Sequence, residues 1–473
     1  MKKTGDEYFD SEEFQELLAK YESAVSSGQP VFMDAEELTE IADYYQMTGW
    51  PDDADRAINL ALSLSPGAIT PLTYKIHEAL YEGNTDEAER LLGQIIEKSE
   101  PDYTYCQGEI MLAKGLVEEA DQHFREVFKT VPPDEYQDYV IDVASIFGDF
   151  NYSEKAMEWM ARAHHEDSND FKELMARTLF GLGKYKDSEK IFNELIDRDP
   201  FSTHYWNALA SAQLMNEEYD EAVTSSEYAI AIDPNDPDGQ LSKANGLYRL
   251  ENYEEAEKYF ARYNELMPDD EYALMQQATC LINMERPAEA IGLLKKALDV
   301  APADSPYEAD ILQELAFAHS EQGDIDKALD CLKQTETLDC DHVQLLVIKG
   351  HILLNAGHIE ESEEVFRQAI LQSDNAPKTL MRVIVSLYDN RYLEGAYKLF
   401  LRFFTIVDDD WNEGYSYMAL CCYDLKKYDE YLKYLRKACT VNPKEAKLVL
   451  HHLFPDGLQP EEYYNYIKNK ITP

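Results

Sequence analysis

Positive charge is scarce in this chain. Against 92 Asp and Glu stand 43 Lys and Arg among 473 residues, a formal net charge of −49. Nucleic-acid backbones are held by clustered Lys and Arg, and the basic clusters here are pairs such as Lys295-Lys296 and Lys426-Lys427. Nucleic acid is therefore excluded as an expected partner, and anionic membrane surfaces on the same ground. Long apolar runs are missing too. No window approaches the roughly 18 uninterrupted apolar residues of a membrane-spanning helix, and the best stretch, Leu399 to Val407, is broken by Arg402. Met1-Lys2-Lys3 gives way to acidic residues rather than to an apolar segment, which predicts no secretory leader. The seven cysteines (106, 280, 331, 340, 421, 422 and 439) include no Cys-x-x-Cys and have no histidines at metal-ligand spacing. That pattern predicts reduced thiols and a cytoplasmic protein. No His-Glu-x-x-His occurs and no catalytic constellation stands out, so no enzyme activity, cofactor or metal is expected.

What the chain does have is core material and a period. Apolar residues make up 45%, well above the composition of disordered acidic chains. Pro200, Pro234, Pro268 and Pro302 fall 34 residues apart, and Ala222, Ala256 and Ala290 keep the same beat. A period of this length marks stacked helical hairpins, each of which buries its apolar face only by sharing it with its neighbours. Trp206, Leu209, Ala210, Ala222, Ala229 and Pro234 follow in order at positions 4, 7, 8, 20, 27 and 32 of one such unit. In this the segment resembles the tetratricopeptide repeat. Small residues at positions 8 and 20 let the two helices approach, and Pro at 32 closes the second helix.

Carried both ways, the register places Ala54, Ala88, Ala120, Ala156, Ser188, Ala222, Ala256, Ala290, Ala328, Ser362, Ala396 and Tyr431 at position 20. The fold expected is all-α, a right-handed superhelical solenoid of about twelve hairpins. Residues 1–34 form an N-terminal capping region, 35–302 repeats one to eight, 303–445 repeats nine to twelve, and 446–473 capping helices. Some units depart from the pattern. Lys75 and Gln107 stand where Leu belongs, Gly148 to Ser153 reads as a lengthened turn, Ala303 to Pro306 adds a loop, and Tyr431 fills a small-residue position. Asp10-Ser11-Glu12-Glu13 resembles a capping box ahead of the apolar stripe Phe14, Leu17, Leu18 and Tyr21.

Several short motifs invite chemistry and read better as structure. Gly181-Leu182-Gly183-Lys184 lacks the spacing of a phosphate loop and reads as the turn between two helices. His164-His165 and His451-His452 are adjacent pairs whose side chains point about 100° apart on a helix. Cys280, Cys421 and Cys422 fall at packed positions and read as core thiols.

The resemblance implies a concave groove lined by the first helix of each hairpin, through positions 2, 5, 9, 12 and 13. Candidate contact residues in that register are Tyr105, Glu109, Glu173, Arg177, Phe180, Asn207, Asn245, Tyr248, Arg249, Tyr272, Phe317, Tyr388 and Tyr423. The Lys and Asn pattern by which some members clamp a C-terminal carboxylate is absent: position 5 is never Lys, and Asn245 is paired with Leu241. The function expected is a non-catalytic scaffold or adaptor that binds a protein or peptide, basic with apolar anchors. A holding or assembly chaperone for a basic client is the alternative, with an enzyme or its regulatory subunit third.

Overall fold

The computed structural model describes residues 8–9, 11–163, 167–303, 305–374, 376–408, 410–455 and 457–471. The His164-His165 pair lies outside them. All regular structure among the described residues is helical, in 27 α-helices and one 3-10 turn. After a first helix, Glu12–Ser27, twenty-four helices follow as twelve successive A–B pairs, eleven of which lie within one compact unit and pack as hairpins, and Pro443–Leu450 and Pro460–Ile471 come after the last. The chain divides into two compact units, Met1–Glu217 and Glu218–Pro473. None of the described helices is long and apolar enough to cross a membrane.

The register is visible in the burial. All twelve residues at position 20 are at most 1% exposed, including Ser188, Ser362 and Tyr431. Where helix A of repeat three (Pro101–Ala113) meets its partner (Val117–Phe128), position 8 is Gly108. A Cβ built there would sit 1.9 Å from Phe124 Cζ, and one built on Gly350 of repeat ten would sit 2.4 Å from Phe366 Cε1. The two aromatic rings thus occupy the space that Ala fills in other repeats. In repeat five, Ser188 replaces Ala and donates its hydroxyl to the Ala176 carbonyl at position 8, 2.8 Å away. Tyr431 is taken into the core of its hairpin. Its ring is fully buried beside Tyr423, with centroids 5.3 Å apart, in the same core cluster as Ala419.

The turn between helices A and B shares one backbone feature in all twelve repeats. Position 15 adopts the left-handed conformation throughout, with φ between 59° and 81° at Gly49, Gly83, Gly115, Asn151, Gly183, Glu217, Glu251, Glu285, Gly323, Gly357, Arg391 and Lys426. In eleven of them the following N–H reaches back five residues, as in Trp50 to Tyr45, Tyr152 to Phe147 and Arg286 to Leu281, which closes a Schellman turn. Repeat four is therefore not lengthened: Asn151 takes the place of Gly. Gly183 likewise makes Gly181 to Lys184 an ordinary turn.

Other departures are absorbed by polar pairing. Lys75, in the Leu position of repeat two, bonds Asp55 of repeat one at 2.6 Å and Glu78 on its own helix at 2.6 Å. The inserted loop before repeat nine folds back on repeat eight, where Ser305 donates to Glu271 (3.1 Å) and Tyr307 packs on Tyr272. At the N-terminus Ser11 caps Phe14 N–H, but the third helical residue is Phe14 and cannot return the bond; Asp10 lies outside the described residues. The full capping box belongs to Asp34 and Glu37, at the start of repeat one. At the other end Glu445 accepts from the N–H groups of Gly414 (2.6 Å) and Ser416 (3.2 Å), so the terminal segment caps helix A of repeat twelve. Phe454 stacks on the buried Tyr463 at 3.7 Å to seal the core.

Two stability outcomes follow from these joints. Gly108→Ala should lose about 1–3 kcal/mol through overpacking against Phe124, as read by chemical denaturation. Glu285→Gly should gain about 0.5–1 kcal/mol by relieving left-handed strain at an exposed site. An unchanged denaturation midpoint in both variants would contradict this reading of positions 8 and 15.

Candidate functional site

Within each unit the A helices of most neighbouring repeats pack directly on one another, as Ile69–Tyr81 does on Pro101–Ala113 and His342–Asn355 on Ala376–Asp389. Neighbouring B helices meet through long side chains instead, for example Asp121 with Trp159 Nε1 (2.9 Å) and Lys155 (3.5 Å). These closely packed A helices are called the inner row below, and the candidate residues lie on them.

In the first unit four of these residues, Tyr105, Glu109, Glu173 and Arg177, are tied to groups one repeat away. Tyr105 donates to Asp142 at 2.8 Å, and burial followed by that carboxylate holds its phenol well above the ordinary value. Glu109 accepts from His77 Nε2 at 2.9 Å. Glu173 pairs with His204 at 2.9 Å, which lowers its pKa, and Arg177 pairs with Asp149 at 2.7 Å. Phe180 packs edge-on against Tyr185. Arg177 and Phe180 share a cavity of about 280 Å³ with Leu174, Phe192 and Ala208. Asn207 is buried.

In the second unit Tyr272 donates to Asn245 at 3.0 Å and packs against Tyr307, while Tyr248 packs against Tyr253. Burial, then the Glu314 carboxylate, pushes the Tyr248 phenol up to about 12. Arg249 is exposed. Phe317 meets the His351 ring edge-on at 5.7 Å, and Tyr388 donates to Asp424 at 2.7 Å. Tyr423 keeps 39% of its surface in solvent. The residues therefore form a series of local pairs along the inner row rather than one assembled centre.

Several inner-row groups escape a search for motifs. Glu314, half-buried, has its carboxyl raised to about 7 by burial and by Asp310, against a hydrogen bond from Thr279. His351 is pushed below its ordinary value by burial and contacts Ser386 Oγ at 2.9 Å. His77 lies between Cys106 and Glu109, whose hydrogen bonds hold its pKa well above the ordinary value against partial burial. His77 and Glu109 both occupy position 9 of successive repeats, and reading down that position was the signal available. The thiols of Cys280 and Cys422 are pushed up to about 12, and that of Cys421 to about 11, chiefly by burial, as core thiols are.

Stacked hairpins with a shared core and an inner row of A helices define an α-α solenoid of the interaction-scaffold class. Tetratricopeptide repeat family models match residues 174–237, 269–341 and 343–375, and a model described as anaphase-promoting complex, cyclosome, subunit 3 matches residues 215–297. The chain is a tetratricopeptide repeat protein. Among curated proteins it is 25% identical over 221 residues to the TPR repeat-containing protein YpiA of Bacillus subtilis, covering 46% of this chain and 51% of that one. It is 28% identical over 163 residues to the protein FlbA of Caulobacter vibrioides, covering 34% and 27%. The match to mouse interferon-induced protein with tetratricopeptide repeats 3 is 30% identical over 171 residues, covering 33% and 41%. The chain thus spans about half the length or less of these relatives. Among solved structures it is similar to the anaphase-promoting complex hetero-tetramer Cut9–Hcn1, at 14% identity and a TM-score of 0.35 over 95% of each chain. It is also similar to YrrB, described as a TPR protein with an unusual peptide-binding site, at 17% identity and a TM-score of 0.33 over 42% of this chain and 97% of that one.

Glu314 sets a pH dependence. A carboxyl whose pKa is raised on folding binds its proton more tightly in the native state than in the unfolded chain. Stability is then lost as pH rises from about 4.5 to about 7. Glu314→Gln should flatten this fall and exceed the parent at pH 8 by about 1 kcal/mol, after discounting for solvent screening. Thermal melts at pH 5 and pH 8 check this; an equal offset at both would remove the assignment.

Proposed function

We propose that this chain is a non-catalytic scaffold whose inner row of A helices holds an extended protein segment that is basic and carries apolar anchors. The observation that carries the reading is the pairing of partly exposed aromatic rings with carboxylates along that row. Tyr248 beside Glu314 and Tyr388 beside Asp424 are examples, and Phe180 lies at the edge of an apolar cavity. Aromatic side chains with few rotors supply contact area at low entropic cost, and surrounding charge steers the encounter. Tyrosines already bonded to a neighbouring repeat are pre-ordered, which lowers the cost of binding. The scarcity of cations, 43 Lys and Arg against 92 Asp and Glu, fits a basic partner.

The test uses the full chain and two immobilised peptides. One is rich in Lys and Arg with interspersed Leu and Trp; in the other Glu replaces every basic residue. The basic peptide should bind and the acidic one should not. Exposed charges are screened over about 8 Å at physiological ionic strength, so added salt should slow association. Tyr248→Ala should mainly speed dissociation, by about tenfold for a loss near 1.4 kcal/mol. Equal binding of the acidic peptide, or association that ignores salt, would reject the reading.

A further inference from the structure

The inner row of the first unit carries a three-donor cluster that the scaffold reading leaves unused. Cys106 and Glu109 lie three residues apart on helix A of repeat three, hence on one face. His77 reaches them from helix A of repeat two, which packs directly against it. His77 Nε2 lies 2.9 Å from Glu109 Oε2, and the imidazole, thiol and carboxylate donor atoms all fall within 4.8 Å of one another. No other trio of His, Cys, Asp and Glu among the described residues meets that condition.

An ion pair beside a buried thiol accounts for the His77–Glu109 contact, but not for the thiol that completes the triangle. Cys106 is 1% exposed, and its thiol is also within hydrogen-bond reach of Thr73 Oγ1 at 3.8 Å, a bond that does not require the imidazole and carboxylate to converge on it. The remaining described cysteines have no such company: Cys340 has a single imidazole neighbour, His342 Nδ1, at 3.8 Å.

We propose that His77, Cys106 and Glu109 form a binding site for a divalent transition metal of the zinc type. Nitrogen, thiolate sulfur and carboxylate oxygen make up the donor set zinc accepts, whereas magnesium and calcium prefer oxygen alone. Three protein ligands leave a fourth position for water on the open side, where His77 keeps 54% of its side chain exposed. Binding displaces one proton from the thiol and one from the imidazolium, and both leave to solvent as the ion enters. Because the ligands come from two repeats, the ion clamps repeat two to repeat three and stabilises the folded chain by mass action.

The probe is cobalt(II), titrated into the reduced, chelator-treated full chain. Tetrahedral ligation through Cys106 should give visible d–d bands and a near-ultraviolet thiolate-to-cobalt charge-transfer band that saturate at one ion per chain. Cys106→Ser should abolish the charge-transfer band, and Cys340→Ser should leave it intact. His77→Gln, whose amide can still bond Glu109 across the repeat junction, should weaken binding about tenfold or more. Zinc should raise the melting temperature of the parent and not that of His77→Gln. Absence of the band in the parent, its persistence in Cys106→Ser, or unchanged affinity in His77→Gln would each overturn the site.

Discussion

Each hairpin depends on one close approach, the contact between positions 8 and 20. Two helices come together there only if the facing residues leave room, and once they do, the length of the turn and the direction of the returning helix follow. The αL residue at position 15 recurs in all twelve repeats even where the side chain is Glu, Arg or Lys. A strain of roughly 1 kcal/mol per L-residue is tolerated because the joint admits no other path. Gly108 and Gly350 show that position 8 must leave room one turn further along as well, since there the Phe124 and Phe366 rings at position 24 have taken the space of a methyl.

That geometry has an electrostatic consequence. Drawing the A helices together on the inner row concentrates side chains in a chain with 43 cations for 92 carboxylates. Tyrosine, present 33 times, takes over part of the work of lysine. Tyr8 donates to Glu40, Tyr45 to Glu22, Tyr105 to Asp142, Tyr263 to Asp270, Tyr388 to Asp424 and Tyr397 to Glu430, at 2.6 to 3.1 Å. A phenol satisfies a carboxylate without cancelling its charge, so the repeats are stitched together while the surface stays acidic. The same contacts lift the phenol pKa values of Tyr8 and Tyr397, for which the carboxylate hydrogen bond is the leading cause.

The repeat fold was legible because its signals are local and recur: small residues at a period near 34, proline after the second helix, apolar stripes between. Even the irregular repeats kept their register, and the errors were local as well. Gly148 to Ser153 looked long because Asn151 does the work of glycine. Tyr431 looked too large, yet its ring is buried beside Tyr423 in the core of the last hairpin. The inner-row pairs were much less legible. Tyr105 and Tyr388 could be assigned to the row, but not to Asp142 and Asp424, and the loop tyrosine Tyr307 that covers Tyr272 could not be read from repeat position at all.

The reason is that chemistry in a stacked array is built between repeats. His77 and Glu109 are 32 residues apart, Glu173 and His204 are 31, Tyr388 and Asp424 are 36, and Tyr272 and Asn245 are 27. Each pair joins one repeat to the next. A motif search confined to a few consecutive residues passes over all of them, whereas the same positions compared down successive repeats bring them side by side. A substitution on this row consequently acts first on the junction between two repeats and only then on the surface. In an array stabilised by nearest-neighbour interfaces, recognition and stability therefore draw on the same side chains. A partner that competes for one of these carboxylates loosens the joint it binds to, unless its own contacts span both repeats.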